Sequence, residues 1–419
     1  MRRLGGRFSS FWAAASISAL GDGLLVSGLP LLAHDATKKP LVLATVFAAG
    51  RLPWVFGLLV GSIVDRLDAR RVLVATDLVR GTLLGLVGIQ MLLSGHAPNV
   101  WQLVGVGAVL GLGAVVSYVA LQRAVPSLVQ PEELETANGY LEASNIAGEQ
   151  FIGPAIGGAL FYGGRVPVLG DATTFLLSAL FLRRLPRIPS VGEESNGLWS
   201  EIVAGWRWFA RERAIRTLTA ATSLVAALST FVLATEIVIV RDTLGLGRYW
   251  FALFTAVTAG GGIVGGIIAQ RVTAILNVNT FAACVLANAL CYAACIGSRS
   301  PLLVFTSMTV QTMTVIIANV SAASIRQRAV PFALRGRVIG LARSFIFGAQ
   351  VPGAIVGGWI AGRYGTDSMF AVAAGGLLAI ALMVARPLRH LLQPYQTSRV
   401  LESAILAPYQ APLQPAKAE

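Results

Sequence analysis

Charge is what this sequence has least of. Only 13% of its 419 residues are Asp, Glu, Lys or Arg, whereas a soluble domain carries about a quarter. A chain of this length can bury a large core, but it still needs a polar surface to meet water, and this one lacks the residues to make it. Cysteine is scarce as well. Cys284, Cys291 and Cys295 fall in one apolar block at helical spacing, which excludes a disulfide framework and a zinc-ligand pattern. The histidines His34, His96 and His390 stand apart at block edges or in connections, so no metal centre is expected. There is no Walker loop and no Gly-rich dinucleotide fingerprint, which argues against ATP-driven pumping, and no cofactor is expected. A clustered nucleophile, as a membrane-embedded enzyme would need, is also missing. The longest polar segment is too short to hold a soluble sensor domain.

What is present is apolar length. Hydrophobic residues make up 55% of the chain, and the mean hydropathy is +0.70. They come in twelve blocks, at roughly 10–33, 41–64, 72–93, 101–121, 136–162, 167–183, 217–240, 249–270, 278–297, 302–324, 338–362 and 368–385. Each is near the length of a helix that crosses a hydrocarbon layer. The first block follows MRRLGGRF, but it runs too long for a signal-peptide core and reads as a retained span. The net charge of +13 does not indicate nucleic acid, because the basic residues sit at block ends, where membrane topology places them. With the N-terminus inside, 24 basic residues fall on the inner side and 7 on the outer, so both termini are expected in the cytoplasm of a cell whose inner membrane holds the chain.

The chain repeats itself at a separation of about 205 residues. Gln122-Arg-Ala-Val-Pro126 recurs letter for letter as Gln327-Arg-Ala-Val-Pro331, and Gly57-x3-Gly61-x3-Asp65-Arg66 recurs as Gly262-x3-Gly266-x3-Gln270-Arg271. Gly157-Gly158 recurs as Gly357-Gly358, offset by 200. An all-α membrane protein is expected, with twelve transmembrane helices in two pseudo-symmetric six-helix bundles related by an axis along the membrane normal. The expected boundaries are 1–184 for the first bundle, 185–216 for a cytoplasmic linker, 217–390 for the second bundle and 391–419 for a disordered tail. Within the linker, Trp199, Ile202, Trp206 and Phe209 share one face of an amphipathic helix, which predicts a helix lying in the membrane interface.

The most specific local pattern joins the second and third blocks: Gly61-Ser-Ile-Val-Asp65-Arg66-Leu-Asp68-Ala-Arg70-Arg71. It resembles the loop motif of the major facilitator superfamily, with Asp68 where glycine is usual and one extra residue before the arginine pair. Arg51-Leu-Pro-Trp54, Asp171-Ala-x-x-Phe175 and the two Gln-Arg-Ala-Val-Pro loops are similar to the bacterial branch that exports drugs and siderophores. The resemblance implies a secondary transporter. A proton-coupled exporter of a small amphipathic molecule is the leading reading, and an importer or facilitator is the alternative. The motif Gly57, Gly61, Asp65, Arg66, Arg70 and Arg71 would form a gate, with the glycines admitting a neighbouring helix. Asp65 would face the positive end of a helix near Gly336 to Ile339. Gly153, Pro154, Gly157 and Gly158 resemble the core of an antiporter motif and also read as a helix bend with a small-residue packing face.

Ionisable residues inside spans are the best functional pointers, because charge in hydrocarbon is costly. The candidates for proton coupling are Asp22, Glu149, Arg51 and Glu142. Asp22 and Glu149 are expected to face a central cavity, where a low dielectric would let a carboxylate bind a proton near neutral pH. The other reading is a satisfied structural network. Asp77 and Arg80, three apart, are expected to pair with each other, and Asp171 to open a helix. A polar set of Tyr118, Asn145, Gln150, Glu236, Gln311, Asn319 and Gln350, with Ser27 and Asn288, suits a cavity or helix–helix hydrogen bonds. The expected partners are a small-molecule substrate, protons and the lipid bilayer, with no nucleic acid, and the chain is expected to be a monomer.

Overall fold

Hydrocarbon offers the backbone no hydrogen bonds, so an apolar chain satisfies its amides internally, as helix. In the computed structural model, which describes residues 5–64, 66–130, 133–154, 156–157, 166–188, 198–272, 278–331 and 334–406, helix dominates and no strand occurs among the described residues. The elements are α1 (Gly5–Ala36), α2 (Pro40–Arg51), α3 (Gly57–Val64), α4 (Ala69–Ser94), α5 (Val100–Ala124), α6 (Leu134–Asn145), α7 (Val166–Leu182), α8 (Leu198–Arg211), α9 (Arg213–Leu233), α10 (Arg248–Val272), α11 (Val278–Cys295), α12 (Pro301–Ala329) and α13 (Arg335–Leu406). Among the described residues, seven helices are long and apolar enough to cross a membrane, and three more apolar helices are shorter. Large apolar side chains stand exposed on their outer faces, Leu93 at 84% and Trp101 at 80% among them. A soluble protein would not afford such a surface, but lipid favours it.

Local sequence decides where these helices start, stop and bend. Asp68 is the N-cap of α4: its Oδ1 accepts from the amides of Arg70 at 3.0 Å and Ile188 at 3.3 Å. The acidic residue in place of the usual glycine therefore ties the start of α4 to the end of the α7 segment. Asp68→Ala removes the cap and is expected to cost about 1 kcal/mol, read as a lower melting temperature in detergent. Asn99 and Gln102 form a capping box on α5, and Gly95, at φ +74°, ends α4 in the left-handed conformation that glycine adopts freely. Gly365, at φ +84°, breaks α13 into two helices.

Three long segments are interrupted. Pro53 has no amide to donate, and the stretch Leu52–Phe56 between α2 and α3 winds as a 3-10 helix. After α6 the chain forms a π-helix over Ile146–Ile152, just before Gly153 and Pro154. The segment after α9 turns at Ala234 and Thr235, restarts at Glu236 and ends in a second π-helical stretch, Ile239–Thr243. Extra residues of this kind in a helix often mark functional positions.

Packing follows the internal repeat. Gly153 and Gly157 lie against the backbone of α1 at Gly23 and Leu24, while Gly353 and Gly357 lie against the backbone of α9 at Ala227 and Phe231. The same glycine face thus serves corresponding helices at the 200-residue offset. Other expectations are corrected. A Cβ at Gly57 would meet nothing within 4 Å, and one at Gly61 would meet only Val119 at 4.0 Å. The close approach lies upstream instead, where Gly111 packs on the backbone of Gly50, because the 3-10 segment re-aims the helix after Pro53. The linker helix α8 does not simply lie at an interface. Phe209 is buried with Ile215, Val338 and Leu341 and stacks on Phe345 at 5.8 Å, while Trp206 stays half exposed. The side chains of Trp199 and Ile202 lie outside the described residues. Helix α13 continues to Leu406, inside the segment expected to be disordered.

Candidate functional site

Helix α1 crosses the middle of the molecule with Gly21 and Gly23 on either side of Asp22. Without Cβ atoms these glycines let two other segments approach. Gly21 is packed by Asp171 and Thr174 of α7, and Gly23 by the π-helical backbone at Gly148 and Glu149 and by Gly153 just after it. The carboxylates of α1, α7 and the bent segment are thereby gathered around one point.

Arg80 of α4 reaches this point from the other side. It is 2% exposed and pairs with Asp22. Its stem lies against Gly113 of α5, and its guanidinium is 4.0 Å from the centre of the Phe175 ring of α7. The pairing of Asp77 with Arg80 suggested by their spacing is not formed: the guanidinium is drawn across to α1, and Asp77 stays buried one turn away. Asp171 does not open a helix either, because α7 begins at Val166 and Asp171 is fully buried within it.

Two cavities meet at this cluster. The larger, about 700 Å³, opens towards the arginine-rich end of the molecule; Asn138, Glu142, Asn145, Tyr118 and Arg343 line it together with Asp22, Glu149 and Arg80. The smaller, about 320 Å³, lies on the opposite side and is mostly apolar, with Arg51 and Glu236 on its wall. Asp22, Trp54, Arg80 and Glu149 line both. Each end carries contacts between the first and second halves of the sequence. At the arginine-rich end Arg343 donates to the Tyr118 hydroxyl, and Trp54 stacks on Phe347 at 4.6 Å. At the other end Arg248 donates to Asp35 at 2.6 Å, and His34 Nε2 donates to Asp242 at 3.0 Å. Lys38 lies 3.1 Å from His34 Nδ1. An ammonium has no acceptor, so this contact places the histidine proton on Nε2.

Of the residues singled out from sequence, Asp22, Glu149, Glu142, Tyr118 and Asn145 share the larger cavity, and Arg51 and Glu236 the smaller. Gln311, Asn319 and Gln350 line neither cavity. Gln311 accepts from Thr312 at 3.4 Å, and Gln350 Oε1 is buried without a partner. The gate arginines serve their own half: Arg70 donates to the carbonyl of Arg183 at 2.6 Å, and Arg71 pairs loosely with Asp68. Asp65, Gly158, the packing of Gly336 and the side chains of Ser27 and Gln150 lie outside the described residues. Sequence reasoning missed Arg80 as the partner of Asp22 and did not pick out Trp54 or Arg343 as cavity residues. The only available signal was that an arginine inside a span needs a counterion, and spacing does not say which one.

A multi-helix bundle apolar outside, with charged side chains gathered on cavities at its centre and contacts between the two halves of the sequence at each end, is the build of a membrane transporter rather than an enzyme. The profile of the Major Facilitator Superfamily matches residues 11–349, and the chain belongs to that family. The multidrug efflux pump Tap of Mycobacterium bovis (strain BCG / Pasteur 1173P2) is 27% identical over 402 residues, covering 90% of this chain and 93% of Tap. Macrolide efflux protein A of Streptococcus pyogenes is 24% identical over 226 residues, 48% of this chain. The chain spans about half the length of that protein, 54%. Among solved structures, the nucleoside transporter NupG (D323A mutant) superposes with a TM-score of 0.76 at 14% identity, covering 90% of this chain and 98% of that one.

Proposed function

We propose that this transporter exports a small amphipathic molecule across the inner membrane in exchange for protons. In this reading twelve spans form two six-helix bundles, 1–184 and 217–390, joined by the 185–216 linker. Both termini are cytoplasmic, and the monomer is the working unit. The placement of Asp22 and Glu149 on the walls of both cavities carries the reading. A carboxylate at such a junction meets one side of the membrane and then the other as the bundles rock, which is what a proton carrier in alternating access needs. The efflux relatives support the outward direction. The apolar character of the smaller cavity supports an amphipathic cargo.

The test is efflux of a panel of amphipathic antibiotics and dyes from cells lacking other exporters, with and without an uncoupler. Gene-dependent, uncoupler-sensitive loss of at least one compound is expected. Accumulation unchanged for every compound would overturn export, and gene-dependent uptake would reverse the direction. Efflux undiminished in Asp22→Asn and Glu149→Gln would remove both residues as required carriers.

The outer tie makes a separate prediction. Asp35→Ala combined with Asp242→Ala removes the Arg248–Asp35 ion pair and the His34–Asp242 hydrogen bond that join α1 to the second half. A cysteine placed at Leu29, on the smaller cavity, is then expected to react severalfold faster with an impermeant maleimide added outside. An unchanged rate would mean that these pairs hold nothing shut.

A further inference from the structure

Two loose ends lie beside the Asp22–Arg80 pair. Arg80 uses Nη2 for Asp22, while its Nε is buried and takes no hydrogen bond. Asp171, fully buried, leaves Oδ2 without a partner. Its Oδ1 has only the Thr174 hydroxyl at 3.2 Å, and that single proton is also offered to the Asp171 carbonyl at 2.7 Å. A buried cation with an unused donor and a buried carboxylate with an unused acceptor are each unfavourable alone.

The two groups are neighbours. Helices α4 and α7 cross where Gly81 meets the carbonyl of Ala172 at 3.1 Å from an added Cβ, so Arg80 and Asp171 flank this crossing. Phe175, over which the guanidinium lies, is one turn along α7 from Asp171. The stem of Arg80 is held against Gly113, so a change in its last torsions re-aims the guanidinium without moving a helix. The charged groups facing it are Asp22 from α1, Asp77 from α4 itself, Glu149 from the bent segment and Asp171 from α7, with Arg51 across the smaller cavity.

We propose that Asp171 is the alternative partner of Arg80. When Asp22 takes a proton from the cavity water, Arg80 leaves it and pairs with Asp171 through Nε and a terminal nitrogen. When Asp22 releases the proton, Arg80 returns. The proposal rests on the proton-coupling reading of Asp22 and adds the element that reads the proton out. Protonation frees α1 from α4 without stranding a buried cation, and the tie passes to the α4–α7 pair. Asp171 is a positioning residue in this scheme, acting through Arg80.

The test needs no cargo. Spin labels are placed at Ser127→Cys and Gln327→Cys, both exposed, in the full chain in lipid nanodiscs with the three native cysteines changed to alanine. The interspin distance is read as a function of pH. The unsubstituted background is expected to switch between two distance populations. Because Asp171 stabilises the protonated form, Asp171→Asn should move the midpoint down by about one pH unit or more, while Asp77→Asn, a nearby charge change of the same sign, should move it less. Asp22→Asn should hold the protonated-form distance at every pH, and Asp22→Asn with Asp171→Asn should lose it. Asp171→Glu should restore part of the background midpoint. An Asp171→Asn midpoint equal to the background, an equal shift in Asp77→Asn, or a double variant identical to Asp22→Asn would each overturn the handover. So would a background distance that ignores pH. None of these results bears on whether the cells export the panel compounds, so the two readings fail separately.

Discussion

Arg80→Leu is expected to reduce efflux to background and to destabilise the fold by about 3–5 kcal/mol, the usual cost of removing one partner of a buried ion pair. The loss is large because several groups depend on this one side chain. Its guanidinium answers Asp22, lies on Phe175 and is the cation nearest to Asp77 and Asp171. Without it, Asp22 on the cavity wall and the buried Asp77 and Asp171 are left facing one another with that cation removed. Asp22→Asn on the Arg80→Leu background removes one of them and is expected to recover part of the melting temperature without recovering transport. Arg80→Lys retains a charge but not the fork or the flat face that stacks on Phe175, so partial stability with impaired transport is expected. The measurements are melting temperature in detergent and uncoupler-sensitive efflux in cells. Arg80→Leu efflux within twofold of the unsubstituted chain would show that the pair is ornamental to transport.

Gly153→Ala is expected to be among the most damaging single-methyl changes at the described glycines. The added carbon would lie 2.6 Å from the Cα of Gly23 and 2.7 Å from its carbonyl carbon, and neither atom can move unless α1 moves. Overpacking a filled interior typically costs about 1–3 kcal/mol, and backbone against backbone belongs at the upper end of that range or beyond it. The change would also push Glu149 away from Asp22, so transport should fall together with stability. Gly139→Ala, in the same stretch of sequence but with nothing within 4 Å of its added Cβ, is the control and should be close to neutral. Equal melting temperatures for the two variants would contradict the tight packing of α1 on the bent segment.

The sequence was most informative where one residue carries its own consequence. An Asp or Glu within an apolar block must face something other than lipid, so Asp22, Glu149, Glu142 and Glu236 could be marked as cavity residues before any fold was known. The Gly153-Pro154 step likewise announced a bend, although that the bend takes π-helical form over Ile146–Ile152 was not readable from the letters. Partner choice was less legible. The i, i+3 spacing of Asp77 and Arg80 suggested a local pair, yet Arg80 binds a carboxylate 58 positions away. Gly57 and Gly61 matched a packing motif, and the packing occurs at Gly50. Gln311, Asn319 and Gln350 had the right polarity but point elsewhere than the two cavities. In each case the deciding variable is the rotation of one helix about its axis relative to its neighbours, and a sequence pattern leaves that free.

The sequence by itself thus determined that the chain is a bundle of apolar helices, that one of them bends near Gly153 and Pro154, and that its few interior charges cluster in the first half. Composition and periodicity suffice for this, because lipid penalises every exposed polar group and each helix satisfies its own backbone. Only the tertiary structure decided that Asp22, Arg80, Asp171 and Glu149 meet at the junction of two cavities, and that the ends are held by Arg343 on Tyr118 and by Asp35 on Arg248. Those contacts join helices far apart in sequence. Their formation depends on how closely glycine faces let those helices approach, and that distance arises only from all the helices packing at once.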